Sequence, residues 1–312
     1  MTYKNRLIFL GTLIGVLLVT YIAGVILTSD IGSKSSSYTW LDSKTGEKTI
    51  RVVIKDADNE FELKKKNGQW FVSHNGLEYP AKQLRVEDFL KILTTRSAWP
   101  IRSTSASTHE RFGLEQSASR VTVYAETVIL DLVVGNEDAY KNEIYLRKAG
   151  QNEVRAGDNM IKSYISSPVT SWYNLRLIPE TENGSVDLSA VQKMSVYTPR
   201  ETQIFSRKNR RWEISGISVT NPDQNAVDTY IRQILNIEGD NFDDSVNSAD
   251  PMFDKTSIVL ELGNGSIVTV RFSNADESGR RFAHVSGKNN IYSIPTWQAE
   301  KLFKNASNFE TQ

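Results

Sequence analysis

Two stretches of this chain repeat one another: Lys64–Ser73, KKKNGQWFVS, and Ser206–Ser215, SRKNRRWEIS, which set Trp70 opposite Trp212. Their separation of about 140 residues is far beyond solenoid periods, so the repeat predicts two globular copies, not a stack of short units. The likeness continues downstream in the same order. In the first copy, VEDFLKILTT places Val86, Phe89, Leu90 and Leu93 on one helical face. In the second, NAVDTYIRQILNI does the same with Val227, Tyr230, Ile231 and Ile234, and Pro222 and Asp223 stand ahead of it as start signals. Alternating strands follow at 121–136 and 257–274, the latter turning at Gly263-Asn264-Gly265. A further strand pair is expected over 142–157 and 280–295, and then a short helix from Asn159 or Thr296. Each unit therefore reads strand-strand-helix followed by four strands. A helix set apart from runs of antiparallel strands is the α+β pattern, with one helix packed on each sheet. The first unit is expected over 38–179 and the second over 186–312, with ETENGS at 180–185 as the linker.

Ahead of the repeat, Leu7 to Leu27 runs for 21 residues without a charge. At about 1.5 Å of rise per residue, such a helix matches the thickness of a bilayer's hydrocarbon core. A cleaved signal peptide has a shorter apolar core of about 7 to 15 residues and a small-x-small site, which Ile26-Leu27-Thr28 does not supply. The run predicts an N-terminal transmembrane helix, an uncleaved signal anchor whose partner is the lipid bilayer. Lys4 and Arg6 precede it and the next basic residue is Lys34, so residues 1–6 are expected in the cytoplasm and the bulk of the chain outside. Residues 28–37, TSDIGSKSSS, have the composition of a flexible tether. Gly11 and Gly15 form a Gly-x-x-x-Gly that would let a second helix approach closely.

Composition removes whole classes of chemistry. Lys+Arg 37 against Asp+Glu 37 leaves no net field to hold a nucleic-acid backbone. The absence of cysteine excludes disulfides, thiolate metal sites and a cysteine nucleophile. His74, His109 and His284 fall in different elements, too scattered for a histidine metal site. No nucleophile elbow, phosphate loop or His-Glu-x-x-His helix occurs, so the sequence offers no catalytic residue, cofactor or metal site, and a small-molecule ligand cannot be named from it. The acidic stretch Asp240-Asn241-Phe242-Asp243-Asp244, with Asp250 and Asp254 beyond it, is the best candidate for a hard cation, but it lacks the EF-hand glycine and closing glutamate and reads as a solvated connection. Lys64-Lys65-Lys66 and Arg207-Lys208-Asn209-Arg210-Arg211 read as charged hairpin tips, with contact to anionic headgroups or a wall polymer as the alternative. Sequons at Asn183, Asn264 and Asn305 also read as turns. Trp70 and Trp212, equivalent in the two copies, read as core anchors; stacking on a sugar or peptide is the other reading.

Four groups of residues carry a family resemblance: Asn67-Gly68-Gln69-Trp70, Arg111-Phe112-Gly113-Leu114, Val134-Gly135-Asn136 with Ile144-Tyr145, and Trp172-Tyr173-Asn174-Leu175-Arg176. In these the chain resembles the bacterial DUF4340 family over residues 50 to 180, whereas the second copy departs from the pattern with Pro251-Met252-Phe253. The resemblance implies an exported, membrane-tethered protein of the bacterial cytoplasmic membrane, and ABC-transporter membrane subunits as possible partners; it carries over no catalytic residues. The expected function is therefore a non-enzymatic interaction or scaffold protein, an accessory to an ABC-transporter complex. The alternative is a periplasmic binding protein for a cell-envelope glycan or peptide. A carboxylate hydrolase would need two acids facing one another, which no spacing suggests.

Overall fold

The computed structural model describes residues 14–21, 37–57, 59–178, 186–246, 249, 251–253 and 255–311. The chain is α+β: two antiparallel sheets, each with a long helix and a few short ones, in two compact units. The first sheet is built from β1 (Arg51–Lys55), β2 (Glu60–Lys66), β3 (Gln69–His74), β4 (Leu77–Pro80), β5 (Ile101–Ser103), β6 (Ser119–Tyr124), β7 (Val128–Asp138), β8 (Glu143–Lys148) and β9 (Val154–Asp158), in the order β4-β3-β2-β1-β6-β7-β8-β9-β5. The second uses β10 (Val191–Tyr197), β11 (Thr202–Lys208), β12 (Arg211–Ser215), β13 (Asn241–Phe242), β14 (Thr256–Leu262), β15 (Ile267–Phe272), β16 (Arg281–Val285) and β17 (Ile291–Ile294), in the order β12-β11-β10-β14-β15-β16-β17-β13. Apart from β4 the two orders are the same, so the duplication read from ten residues extends to the topology.

The long helices, Gln83–Thr94 and Gln224–Leu235, occupy equivalent places between the third strand and the edge strand. Asp223 caps the second, its carboxylate accepting from the amides of Asn225 at 2.9 Å and Ala226 at 3.2 Å, which satisfies two of the donors a helix start leaves open. Val227, Tyr230, Ile231 and Ile234 are buried as their spacing predicts, while in the first helix Val86, Phe89 and Leu93 are buried and Leu90 is only half-buried. Burying such a side chain contributes about 1.5 to 3 kcal/mol, so these faces fix each helix on its sheet. The short helices begin at Met160, after Asn159, and at Thr296.

The expected strand order needs correction. Three strands, not two, open each unit, a short edge strand (β5, β13) follows each long helix, and the first unit adds β4. The opening strand β1 spans five residues with only Val52 and Ile54 buried, and β5 and β13 span three and two, too short for alternation to register.

The boundary between the two compact units falls between Val169 and Thr170, and Tyr79–Lys82 belongs to the second unit, whereas composition points to 180–185. Hydrogen bonds within the second unit account for this. The Lys82 amide donates to the Trp172 carbonyl at 2.8 Å and the Asn174 amide to the Pro80 carbonyl at 2.8 Å. The Gly239 amide reaches the Leu175 carbonyl at 2.9 Å, and Arg176 bridges to Glu238.

The predicted Leu7–Leu27 span lies outside the described residues except for 14–21, which are helical and exposed. Among the described residues no helix is long and apolar enough to cross a membrane. The N-terminal 1–6, Gly11, most of the tether, the 180–185 linker with Asn183, Asp250 and Asp254 also lie outside them.

Candidate functional site

The residues repeated between the copies build structure. Trp70 and Trp212 are each 3% exposed, which removes their faces from any passing sugar. One glutamine brackets each. The Trp70 amide donates to Gln83 Oε1 at 2.8 Å while Gln83 Nε2 donates to the Trp70 carbonyl at 3.0 Å. Gln224 repeats this on Trp212, at 2.7 and 3.1 Å. A cation lies over each ring, Lys65 at 5.7 Å and Arg207 at 5.5 Å. The glutamines were not singled out from sequence, although the same residue type recurs thirteen residues after one tryptophan and twelve after the other.

The Phe-Gly-Leu and Val-Gly-Asn motifs interlock. A Cβ on Gly135 would overlap the Phe112 carbonyl, and one on Gly113, whose φ of 67° is left-handed, would overlap the Asn136 side chain. The two glycines thus let β7 lie against the turn that carries Phe112, which packs with Leu114, Val133 and Val154.

The titratable candidates are dispersed and engaged. His74 Nδ1 faces the Glu60 carbonyl at 3.1 Å, and His109 Nε2 faces the Asn152 carbonyl at 3.1 Å. His284 accepts from Arg271 through Nδ1 at 3.0 Å and donates through Nε2 to the Lys288 carbonyl at 2.7 Å, which fits the neutral Nε2–H tautomer. In the acidic stretch, Asp240 pairs with Arg280 at 2.8 Å, Asp243 closes a turn on Ser245, and Asp244 accepts from the Tyr79 hydroxyl. Burial, and then the Asp244 contact, push the Tyr79 phenol well above its ordinary value. Tyr79 stacks on Phe242 with ring centroids 4.8 Å apart, and Tyr173 and Tyr292 complete an aromatic cluster in the second unit. Burial alone raises Tyr292 to about 12. Among the described residues no group of three or more histidine or acidic side chains could hold a metal ion. At the hairpin tips Lys64 pairs with Glu62 and Lys66 with Glu78, both at 2.7 Å, and Lys208 with Glu213 at 3.8 Å.

Each unit carries a cavity of more than 600 Å³. That of the first unit, about 620 Å³, is bordered by His109, Arg120 and Arg147. These are already engaged, Arg120 with Asp131 and Arg147 with the Leu114 carbonyl at 3.0 Å. That of the second, about 660 Å³, lies where β10 ends and β11, β14 and β16 begin. Arg200, Arg281 and Lys304 line it, with Glu201 as the one acid among the described residues. Gln203 stands in its wall, 2% exposed; its Nε2 donates to Glu201 Oε1 and to the Lys304 carbonyl, both at 2.6 Å, while its Oε1 accepts no hydrogen bond among the described residues. Arg281 is held by the Ser273 carbonyl at 2.6 Å and stacks over Phe303 at 5.1 Å, and burial lowers its affinity for a proton. Sequence reading did not reach this cleft.

Fold and sites together define a tandem α+β protein whose shared motifs serve packing. The chain belongs to the DUF4340 family, a domain of unknown function, whose model matches residues 70–251. The match begins at Trp70 and runs into the second unit, further along the chain than the motif residues reach. No curated protein and no solved structure matches the chain.

Proposed function

We propose that this protein is a non-enzymatic interaction or scaffold module, held at the outer face of a bacterial cytoplasmic membrane by residues 7–27 and acting as an accessory component of an ABC-transporter complex. The observation that carries the reading is the helix at 14–21. Its apolar side chains face outward, from Ile14 at 51% exposed through Leu17 at 60% to Tyr21 at 71%. Each such side chain gains about 1.5 to 3 kcal/mol by leaving water, and lipid is the medium that a charge-free run of this length fits. Lys4 and Arg6 on one side and none before Lys34 on the other support the orientation. The transporter partner rests on the family resemblance. An anchor confines the units near the bilayer and raises their effective concentration toward a membrane partner.

The test is fractionation and crosslinking in native membranes. The chain should stay with the membrane after alkaline washing, be degraded by protease added to spheroplasts, and crosslink to transporter membrane subunits. Release as a soluble species, or protection in spheroplasts, overturns the location; capture without any transporter subunit overturns the partner.

A further inference from the structure

We infer that the cleft at the end of the second sheet is a binding site for a small molecule that presents a carboxylate next to an N–H or O–H donor, the chemistry shared by acidic sugars and by the carboxyl end of a short peptide. The inference is independent of the membrane anchor.

A buried acceptor without a partner is unfavourable, and a side chain as deeply placed as Gln203 ordinarily has all its polar atoms satisfied. Both protons of its amide are already used, on Glu201 and on the Lys304 carbonyl, so the amide cannot turn to find a donor without breaking two hydrogen bonds of 2.6 Å. A donor reaching it from the cleft would complete it. Arg200, Arg281 and Lys304 line the same cleft, and none of them forms an ion pair among the described residues. Arg281 is preorganised by the Ser273 carbonyl and the Phe303 ring, leaving the rest of its guanidinium fork for a planar anion.

The duplicate shows that the fold itself does not demand cations here. At the same end of the first sheet, β8 opens with Glu143, which pairs with Arg102, where β16 opens with Arg281. Asp56 and Ser119 hydrogen-bond to each other nearby. At that end the acid and the base are paired with each other, whereas the cations of its counterpart form no ion pair among the described residues. A volume of about 660 Å³ accommodates one or two sugar rings or a dipeptide.

Ligand-observed NMR and calorimetry on the full chain, in nanodiscs if it purifies with membranes and in buffer if it does not, test the site with galacturonate, galactose and N-acetyl-alanyl-alanine. Saturable binding of galacturonate or of the dipeptide is expected, at least about tenfold tighter than galactose, since a hydrogen bond to a charged group is worth about that factor. Which of the two binds more tightly identifies the source as sugar or peptide. Arg281→Met should weaken the preferred probe by about tenfold. Because that change also removes the stacking on Phe303, Lys304→Gln, at a half-buried position, is the second variant and should weaken it about threefold with an unchanged melting temperature. Equal binding of galactose, no saturable binding of either acid, or wild-type affinity in both variants overturns the inference.

Discussion

Arg210 holds a left-handed backbone, φ 65°, in the two-residue turn between β11 and β12, where its counterpart Gly68 in the first unit sits at φ 83°. Asn67 and Asn209 fill the preceding position in both, at φ 50° and 49°, so the turns are alike and only the second carries a side chain that the conformation penalises. Arg210→Gly should therefore raise stability by about 1 kcal/mol, the usual cost of a left-handed non-glycine residue, seen as a higher urea midpoint with an unchanged slope. An unchanged midpoint would mean that the arginine side chain repays the strain elsewhere. Asp56 offers a pH-dependent counterpart. Burial works to raise its carboxyl, but hydrogen bonds from Ser119 and the Ala57 amide, helped by Lys162, outweigh burial and hold it below the ordinary value. A carboxylate whose folded value lies below the unfolded one contributes stability above the unfolded range, and loses it as pH falls through the folded value. Ser119→Ala should cost about 1 kcal/mol at pH 7, and the gap from wild type should begin to narrow below about pH 4, the unfolded carboxylate range, and close only below the lower folded value. Urea midpoints at about pH 7 and about pH 3 decide this; a gap as large at the lower pH as at the higher assigns the effect to packing.

Among the elements, the third strand and long helix of each unit are tied by a single side chain. Gln224 satisfies both the amide and the carbonyl of Trp212 and so closes the outer edge of β12 at that residue. Gln224→Leu leaves both groups without it and should cost about 2 kcal/mol. Gln224→Glu keeps the acceptor and loses the donor, and should fall between wild type and leucine. Equal loss in the two variants would show that only the donated bond matters. The same tie explains what was legible in the sequence. Tryptophan, the charged hairpin and the helical face are local signals within about fifteen residues, and they placed both long helices and the antiparallel pairs after them. The glutamine joins two elements by a side-chain bond, and a polar residue at a helix start reads as surface. The cleft was less legible still, because Gln203 and Arg281 lie in β11 and β16 and Lys304 in the loop after the helix that begins at Thr296, and only tertiary packing brings them to one end of a sheet. The place of Tyr79–Lys82 in the second unit was hidden for a like reason, since its bonds to residues 172–174 span some ninety positions.

For the whole molecule, the duplication gave two sheets of the same strand order, apart from β4, with different side chains at equivalent ends. The apolar run before the two units carries the proposed anchor, so it is the property to test on the intact protein. Leu17 and Leu18, 60% and 53% exposed, lie at the middle of that run. Replacing both by arginine places two charges near the bilayer centre at a cost of about 3 kcal/mol each, enough to move a single span from stably inserted to largely uninserted. The double variant should leave the membrane pellet for the soluble or cytoplasmic fraction and escape protease added to spheroplasts. The far-ultraviolet circular dichroism of the folded units should stay as it is, because the side chains at 14–21 are exposed. Leu17→Ala with Leu18→Ala removes bulk but adds no charge and should remain in the membrane. If the arginine variant fractionates like wild type, the run is not inserted in lipid. If instead the alanine variant is released as readily, its side chains hold the protein to the membrane through packing against a partner.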